Sequence, residues 1–295
     1  MIGISAMMAM CFRIILPCGG HGVSGQKSLL SIPLIKTSAL SYRASLPMYD
    51  WPEAKAENAN LWQAVRNALR ERADVQPAYA LPAYALPDSL EEITDQTLDA
   101  HWQTPDLLFS QSCWGPLKAG CLAYLQPVAQ PCYSRFEGGR QQMYRSAIIA
   151  RDGAAAPVPD QSHATDLEGI LRGRRFGYNH AASLSGLLAL AEDLQIDAQD
   201  LQESGIRTGS HRASVRRLAE GTIDIAAIDC RSWAMARIFE PAARHCKVIG
   251  WTSERLGLPY VTSRQTAPAL KAALTDALLS YGCYEVAGDA AQSSL

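Results

Sequence analysis

The stretch from Ile206 to Cys230, IRTGSHRASVRRLAEGTIDIAAIDC, constrains the fold of this chain more than any other segment. Its pattern predicts a short strand ending at Thr208, a glycine-containing turn, and a helix with apolar residues at helical spacing. Gly221 ends that helix, and the apolar run 223–228 is typical of a buried strand, which ends at Asp229. The segment therefore predicts a βαβ unit, most simply as part of a parallel sheet.

Polar residues stand at the ends of both predicted strands of this unit. Ser210 and His211 follow the first strand, and Asp229 ends the second. Because open parallel sheets bind ligands at the carboxyl ends of their strands, we expect these three residues on the ligand side. Local roles remain open for two of them, since His211 could cap its helix and Asp229 could form a turn after its strand.

The preceding segment has the same design. Residues 174–179 predict a strand, 181–186 a small polar loop and 187–194 a helix rich in Leu and Ala. Ser183 and Ser185 lie where a hydroxyl caps a helix N-terminus, and the same first turn can hold an anion. Capping alone would explain one such turn. Two successive strand-to-helix turns with hydroxyls, one of them with a histidine, indicate an oxyanion pocket.

Composition argues against several classes of function. The 295 residues are 48% hydrophobic and 19% charged, and a net charge of -2 without a long basic run argues against nucleic acid as a partner. No apolar stretch reaches the roughly 18–20 residues that span a bilayer. The eight cysteines have no metal-ligand spacing, so we expect no metal and no cofactor. Cys113 and Cys132 could pair in an exported protein, although buried free thiols are the favoured interpretation.

Residues 1–39 are expected to be a leader or a disordered N-terminus. The segment MMAMCFRIILPCGG is apolar, but Arg13 interrupts it and no clear signal-peptide cleavage site follows. An unconventional export signal and a start codon upstream of the true domain both remain open. The glycine-rich run 19–25 lacks a preceding strand and a following helix, so it does not predict a phosphate loop.

The folded part is predicted to be α/β with two lobes. The first lobe is expected to comprise residues 40–147 and 249–295, and the second residues 148–248, so that two chain crossings make a hinge beside an interlobe cleft. Further helices are predicted over 53–72, 88–102, 166–171, 232–239 and 268–279, further strands over 40–50, 106–110, 122–128, 144–151 and 246–251, and an edge strand or loop over 77–87.

Six segments occur in a characteristic order along this folded part. They are SLPMYD at 45–50, DLLFSQSC at 106–113, YRS at 144–146, SLSG at 183–186, GSH at 209–211 and DIAAIDC at 224–230. In this order and spacing, the region from about Ser45 to Leu279 resembles the PhnD-like phosphate-, phosphite- and phosphonate-binding proteins of ABC transporters. The resemblance implies the type II periplasmic-binding-protein fold, a small oxyanion ligand, an ABC permease as partner, a monomer, no catalysis and an extracytoplasmic location.

The resemblance also implies which residues hold the ligand. In the family an S-x-S-G helix N-terminus, a tyrosine before the crossing strand and the histidine of an S-H pair bind the oxyanion. The corresponding residues here are Ser183, Ser185, Gly186, Tyr144, Ser210 and His211. First-turn amides 185–187 are expected to add hydrogen bonds to the anion, which together are consistent with an affinity on the order of micromolar.

Three departures from the family pattern bear on the ligand. Leu184 stands where a hydroxyl residue is frequent. Arg231 and Leu258 occupy the positions at which aminophosphonate binders of the family place the acidic residues that hold the ligand's ammonium. We therefore do not expect an aminoalkylphosphonate, unless Asp229 compensates through a different course of its loop.

Asp229 bears on which oxyanion binds. A carboxylate repels a fully ionised sulfonate, whereas a protonated phosphate, phosphite or phosphonate oxygen can donate a hydrogen bond to it. If Asp229 faces the cleft, phosphorus oxyanions are favoured. Gln111, Tyr49 and Trp233 are further candidates for closing the cleft, although aromatic residues in such positions more often pack in a core, as Tyr144 could.

Two other functions remain open beside solute binding. An enzyme on the same scaffold could act on a small carboxylate with His211 and Asp229 as an acid/base pair, although no nucleophile elbow, metal set or cofactor fingerprint is visible. A cytoplasmic oxyanion-sensing domain is the other alternative, because the export signal is unclear.

Overall fold

The computed structural model describes residues 41–75, 86–152 and 169–286. The expected leader at 1–39, residues 77–85 of the predicted edge strand and residues 166–168 of the predicted short helix lie outside these ranges. Within them, no helix has the length and apolarity required to cross a bilayer.

The strands and helices of the described ranges alternate along the chain. The strands are β1 (Arg43–Ala44), β2 (Leu107–Gln111), β3 (Leu125–Ala129), β4 (Gly139–Arg140), β5 (Met143–Tyr144), β6 (Ser146–Arg151), β7 (Phe176–Tyr178), β8 (Ile206–Arg207), β9 (Ile225–Asp229), β10 (Cys246–Trp251), β11 (Arg255–Leu256) and β12 (Tyr260–Ser263). The helices are α1 (Lys55–Val75), α2 (Asp95–Trp102), α3 (Trp114–Lys118), α4 (Ala189–Leu194), α5 (Ala198–Ser204), α6 (His211–Ala219), α7 (Cys230–Phe239) and α8 (Pro268–Ser280).

A four-stranded sheet in the order β1-β2-β12-β3 is covered by helices α1 and α8. Helix α1 packs on it because Leu61, Val65 and Leu69 recur every four residues on one face. Trp62 from the same helix stacks on Phe109 of β2, with ring centroids 5.6 Å apart. The helix is therefore amphipathic, as predicted, and begins at Lys55, two residues after the predicted start at residue 53.

A five-stranded sheet in the order β10-β6-β9-β7-β8 contains the βαβ segments. Strand β7 pairs in parallel with β8 and β9, which confirms the predicted unit. Strands β6 and β10 pair antiparallel, so the sheet is mixed and not wholly parallel. Residues of β9 are buried throughout, because α6, α7 and residues 184–188 pack against this strand. Gly221 ends α6 with a φ of 73°, a conformation that glycine adopts without strain.

A small three-stranded sheet, β11-β5-β4, lies between the two large sheets in the chain path. The chain enters the five-stranded sheet directly after β5 and leaves it directly before β11. The two crossings are bonded to each other, since Thr252 N donates to Ser146 O over 3.0 Å and Ser146 N donates to Thr252 Oγ1 over 2.8 Å. The lobe boundaries after residues 147 and 248 stay a prediction, and the strands they cut, β6 and β10, both lie in the five-stranded sheet.

Three predicted elements differ from the structure. One is the helix predicted over 166–171, whose described residues 169–171 are not helical. The helix predicted over 88–102 begins at Asp95, because Thr94 and Thr97 form a capping box at that point. The strand predicted over 40–50 is limited to β1, and residues 47–49 form a 3-10 turn that starts at Pro47, where the strand would need a backbone donor. The helices predicted over 232–239 and 268–279 are confirmed.

Candidate functional site

The turn after β7 is a π-helix, Leu184–Leu188, capped by Ser183. Ser183 Oγ accepts from Gly186 N over 3.1 Å, and Ser183 O accepts from Leu187 N over 3.2 Å and from Leu188 N over 3.1 Å. The amides of Gly186 and Leu187 are therefore bonded within the turn, contrary to the expectation that amides 185–187 face a ligand. A side chain at position 186 would displace Asn179, because an added Cβ would lie 1.9 Å from Asn179 Oδ1.

The serines of this turn lie beside the first residue of α6. Ser185 Oγ is 3.0 Å from His211 Nε2 and 3.4 Å from Ser183 Oγ. His211 Nε2 is also 3.4 Å from Asp229 Oδ2 at the end of β9. The sequence prediction that these side chains gather at the carboxyl ends of neighbouring strands agrees with this geometry. Ser210 does not join them, because it is exposed and its Oγ caps α6 by accepting from Ala213 N.

Asp229 is 2% exposed and has two roles that sequence analysis treated as alternatives. Its Oδ1 accepts from Ser232 N over 2.9 Å, which caps α7, and from the Tyr49 hydroxyl over 3.1 Å. Its Oδ2 faces His211. The carboxylate therefore both forms the turn after β9 and bonds to a residue that packs on the four-stranded sheet.

A chain of hydroxyl and amide bonds extends from Asp229 through Tyr49 to the four-stranded sheet. Because the Tyr49 proton is donated to Asp229, the Tyr133 hydroxyl, 3.2 Å away, donates to Tyr49. Leu258 N donates to the Tyr133 oxygen over 3.0 Å, and Gln111 Nε2 donates to Leu258 O over 3.1 Å. Among the described residues, the side chain of Gln111 is thus connected to the cluster through Leu258. Sequence reasoning missed Tyr133, which lies in a loop without periodicity.

Several buried polar atoms around this cluster have no hydrogen-bond partner in the described part of the chain. They are the Tyr144 hydroxyl, His211 Nδ1, Asn179 Oδ1 and Trp233 Nε1. Tyr144 is 1% exposed, and burial raises the pKa of its hydroxyl well above the usual range, with the neighbouring Cys113 and Asp229 acting in the same direction. A buried hydroxyl without a partner costs free energy, so Tyr144 is suited to bond a group that enters the cluster.

Cys113 also contacts the π-helix, Leu184–Leu188. Its Sγ accepts from Leu184 N over 3.4 Å, and burial raises the pKa of the thiol. Cys113 and Cys132 are both free, and Cys132 is exposed and not buried. Among the described residues, His, Cys, Asp and Glu side chains do not gather in groups of three or more that could hold a metal ion.

The protonation of His211 follows from its surroundings. Burial lowers the pKa of His211, and the nearby Asp229 opposes this effect only in part. A neutral imidazole with its proton on Nε2 can donate that proton to Ser185 Oγ, 3.0 Å away, while Asp229 Oδ2 lies 3.4 Å from the same nitrogen. Ser185 Oγ then accepts from His211 and Ser183 Oγ accepts from Gly186 N. One serine hydroxyl donates to the other over 3.4 Å, so the proton of the second hydroxyl is available to an anion.

The same geometry bears on catalysis. In a Ser-His-Asp relay the hydroxyl and the carboxylate contact different ring nitrogens. Here Ser185 and Asp229 both lie beside Nε2 of His211. The arrangement can position hydrogen-bond donors, but within the described residues no carboxylate orients the ring from Nδ1 as in that relay.

The two residues at the family's acidic positions have other contacts. The Arg231 guanidinium lies 4.2 Å from the centroid of the Tyr49 ring and 3.7 Å from Glu57. Leu258 contributes its backbone to Tyr133. A cavity of about 650 Å³ lies elsewhere, lined by residues 134–140, Arg145 and Glu254, and none of its lining residues belongs to the polar cluster. We assign the candidate site to the cluster, because the convergent buried polar groups are there.

The comparison with protein families decides the classification. The family described as "ABC transporter, phosphonate, periplasmic substrate-binding protein" matches residues 52–292. The chain belongs to this family. It is therefore a solute-binding protein of the periplasmic-binding-protein type, and the resemblance and the fold class expected from the sequence are confirmed. The family is one of binding proteins and not of enzymes, and it implies a phosphonate-type ligand, an ABC transporter system and an extracytoplasmic location.

Solved structures show the same fold. PhnD1 from Prochlorococcus marinus in complex with methylphosphonate superposes with a TM-score of 0.60 at 12% identity, over 85% of this chain and 94% of that one. A binding protein component of an ABC phosphonate transporter from Pseudomonas aeruginosa gives 0.50 at 15% identity, over 81% and 73%. A histidine kinase sensor domain gives 0.55 at 13% identity, over 84% and 99%. A search of curated protein sequences finds no match.

Proposed function

We propose that this member of the phosphonate-binding family captures phosphate, phosphite or a small phosphonate in the cleft and presents it to an ABC permease. The observation that carries the proposal is the buried convergence of two serine hydroxyls, His211, Asp229 and Tyr49 from elements of both large sheets. The two serines are Ser183 and Ser185, and the proposed site also contains Gly186 and Tyr144. Ser210 acts on it only by capping α6.

The ligand's oxygens would replace contacts that the cluster now makes within itself. Serine hydroxyls, His211 and the buried Tyr144 hydroxyl can each donate to an oxyanion. Each hydrogen bond to a charged group contributes about 1.5–3 kcal/mol net. Four of them, less the cost of association, are consistent with a dissociation constant on the order of micromolar, or about -8 kcal/mol.

Asp229 is proposed to select the protonated form of the ligand. Its buried carboxylate can accept a hydrogen bond from a P–OH group, whereas a fully ionised sulfate has no proton to donate and is repelled. The substituent on phosphorus is proposed to be small and uncharged, because Arg231 and not a carboxylate stands near Tyr49. The solved methylphosphonate complex of the structural neighbour PhnD1 is consistent with such a ligand.

Two expectations accompany the proposal. We infer an extracytoplasmic location from the family and a monomeric state, since the cluster is complete within one chain. The enzyme alternative is disfavoured by the placement of Ser185 and Asp229 on one nitrogen of His211. A sensing role uses the same binding chemistry and differs only in the partner, so cell fractionation and permease co-purification distinguish it.

The test is isothermal titration of the full chain with phosphate, phosphite, methylphosphonate and sulfate at pH 7. We expect saturable binding of at least one phosphorus oxyanion and much weaker binding of sulfate. Ser185→Ala should abolish that binding while the far-ultraviolet circular dichroism is unchanged. Flat titrations for all four anions at millimolar concentration would reject the proposal.

A further inference from the structure

Charged and aromatic side chains join the two large sheets at the edge of the site. Residues 51–57 lead into and begin α1, which packs on the four-stranded sheet. Helices α6 and α7 pack on the five-stranded sheet. Contacts between these two groups of elements therefore connect the two sides of the cleft.

Arg212 makes the most extensive of these contacts. Its Nη1 and Nη2 donate to the two carboxylate oxygens of Glu53, each over 3.0 Å, and its guanidinium lies 4.6 Å from the ring centroid of Trp51. On its own side of the cleft, Arg212 Nε donates to Glu240 over 2.8 Å and Nη2 donates to Phe239 O over 3.2 Å. Residues at the end of α7 thus orient the guanidinium, and its Nη1 and Nη2 face Glu53.

The position of Arg212 couples these contacts to the site. It follows His211 directly in the first turn of α6, so a shift of Arg212 moves the imidazole that faces Ser185 and Asp229. Its side chain is 20% exposed and that of Glu53 is 30% exposed, so water screens the pair less than a fully exposed one. A two-bond arginine–carboxylate pair also has a defined geometry, which a single-bond pair lacks.

We propose that Arg212 is a positioning residue that holds the cleft closed. Its pairing with Glu53 and its stacking on Trp51 fix the start of α6 against residues 51–53 and so keep His211 within reach of the bound anion. The ion pair contributes to ligand affinity without touching the ligand. The expected effect on ligand affinity rests on the proposed function. The expected effect on the shape of the unliganded protein does not.

The test compares Arg212→Gln with Arg216→Gln in the full chain. Arg216 is a matched control, because its Nε donates to the same Glu240 oxygen over 2.9 Å from the same helix, whereas its side-chain hydrogen bonds and ion pairs within the described residues do not reach residues 51–57. Small-angle X-ray scattering without added ligand should show a larger radius of gyration for Arg212→Gln and an unchanged one for Arg216→Gln. Both variants are also titrated with methylphosphonate, phosphite and phosphate. Arg212→Gln should bind them about tenfold more weakly than the wild type, and Arg216→Gln about twofold more weakly at most.

A double-mutant cycle with Glu53→Gln separates the pair from other effects of the substitution. Glu53 lies outside α6, so Glu53→Gln still tests the ion pair if Arg212→Gln lowers the melting temperature. The Arg212→Gln/Glu53→Gln variant should bind no more weakly than either single variant. Equal behaviour of Arg212→Gln and Arg216→Gln in scattering, or additive losses in the cycle, would overturn the proposal. If the wild type binds none of the three anions, the proposed function fails, and the scattering comparison still decides the role of Arg212.

Discussion

Replacement of Asp229 by asparagine should change the selectivity of the site while leaving the fold intact. The asparagine Oδ1 can still accept from Ser232 N and from the Tyr49 hydroxyl, which lie 2.9 and 3.1 Å from Asp229 Oδ1. The cap of α7 and the bond across the cleft are therefore retained. The substitution removes the carboxylate oxygen that lies 3.4 Å from His211 Nε2, which is the proposed acceptor for a P–OH group.

The expected magnitudes follow from the two terms that the carboxylate contributes. Loss of a hydrogen bond to a charged group costs about 1.5–3 kcal/mol, so the preference for the protonated phosphorus oxyanion over sulfate should fall about 10- to 150-fold. Repulsion between two unit charges about 4 Å apart is about 4 kcal/mol at an effective dielectric constant of 20. This repulsion acts on both anions, but only the phosphorus oxyanion offsets it with a P–OH hydrogen bond. Asp229→Asn removes the repulsion, so sulfate binding should become measurable.

The assay is calorimetric titration of wild type and Asp229→Asn with phosphate and sulfate between pH 6 and 8. Wild-type affinity for phosphate should fall as pH rises through the second ionisation of phosphate, and the variant should lose this dependence. Asp224→Asn is the matched control, because Asp224 precedes the same strand and pairs with Arg175 at its other end. If Asp229→Asn discriminates between phosphate and sulfate as the wild type does, the carboxylate is not the group that distinguishes a protonated anion from a fully ionised one.

Three further outcomes are expected at the same site. Gly115→Ala should open the cleft and weaken binding, because the added Cβ would lie 1.9 Å from Ala182 O; an unchanged radius of gyration in scattering would contradict this. Tyr144→Phe should leave the melting temperature of the unliganded protein unchanged or higher and weaken anion binding by about 1 kcal/mol, since its hydroxyl is buried without a partner; a large loss of stability without ligand would argue against this role. Burial lowers the pKa of His211, so stability should fall as pH decreases through the ordinary histidine range. Melting temperatures of the unliganded protein across that pH range measure the fall, and His211→Asn should reduce it.

The parts of the fold that the sequence predicted are those encoded locally. The βαβ unit follows from a helical apolar pattern between Thr208 and Gly221 and from the apolar run before Asp229, and both patterns survive in any tertiary context that buries them. The serine turn was predictable for the same reason, because a cap involves residues three positions apart. The π-helix was not, since its extra residue per turn depends on how Leu184–Leu188 packs against α3.

The parts of the site that the sequence did not reveal depend on residues far apart in the chain. Tyr133 joins the cluster through hydroxyl bonds to Tyr49 and to Leu258 N, which lie 84 and 125 positions away. Arg212 and Glu53 are separated by 159 positions. Neither contact has a sequence pattern, because a charged or hydroxyl residue on a surface loop or helix face has many equivalent environments until the two sheets are placed together.

The placement of Arg231 supports the interpretation of Asp229 as the group that reads the ligand's proton. A buried carboxylate needs hydrogen bonds, and Asp229 obtains two of them at Oδ1 from Ser232 and Tyr49. A cation paired with Oδ2 would neutralise the charge and remove discrimination between protonated and fully ionised anions. Arg231, two residues later, instead lies over the Tyr49 ring and pairs with Glu57, while Oδ2 faces the neutral imidazole of His211. The site therefore keeps an acceptor of full negative charge at the point where a P–OH group would donate.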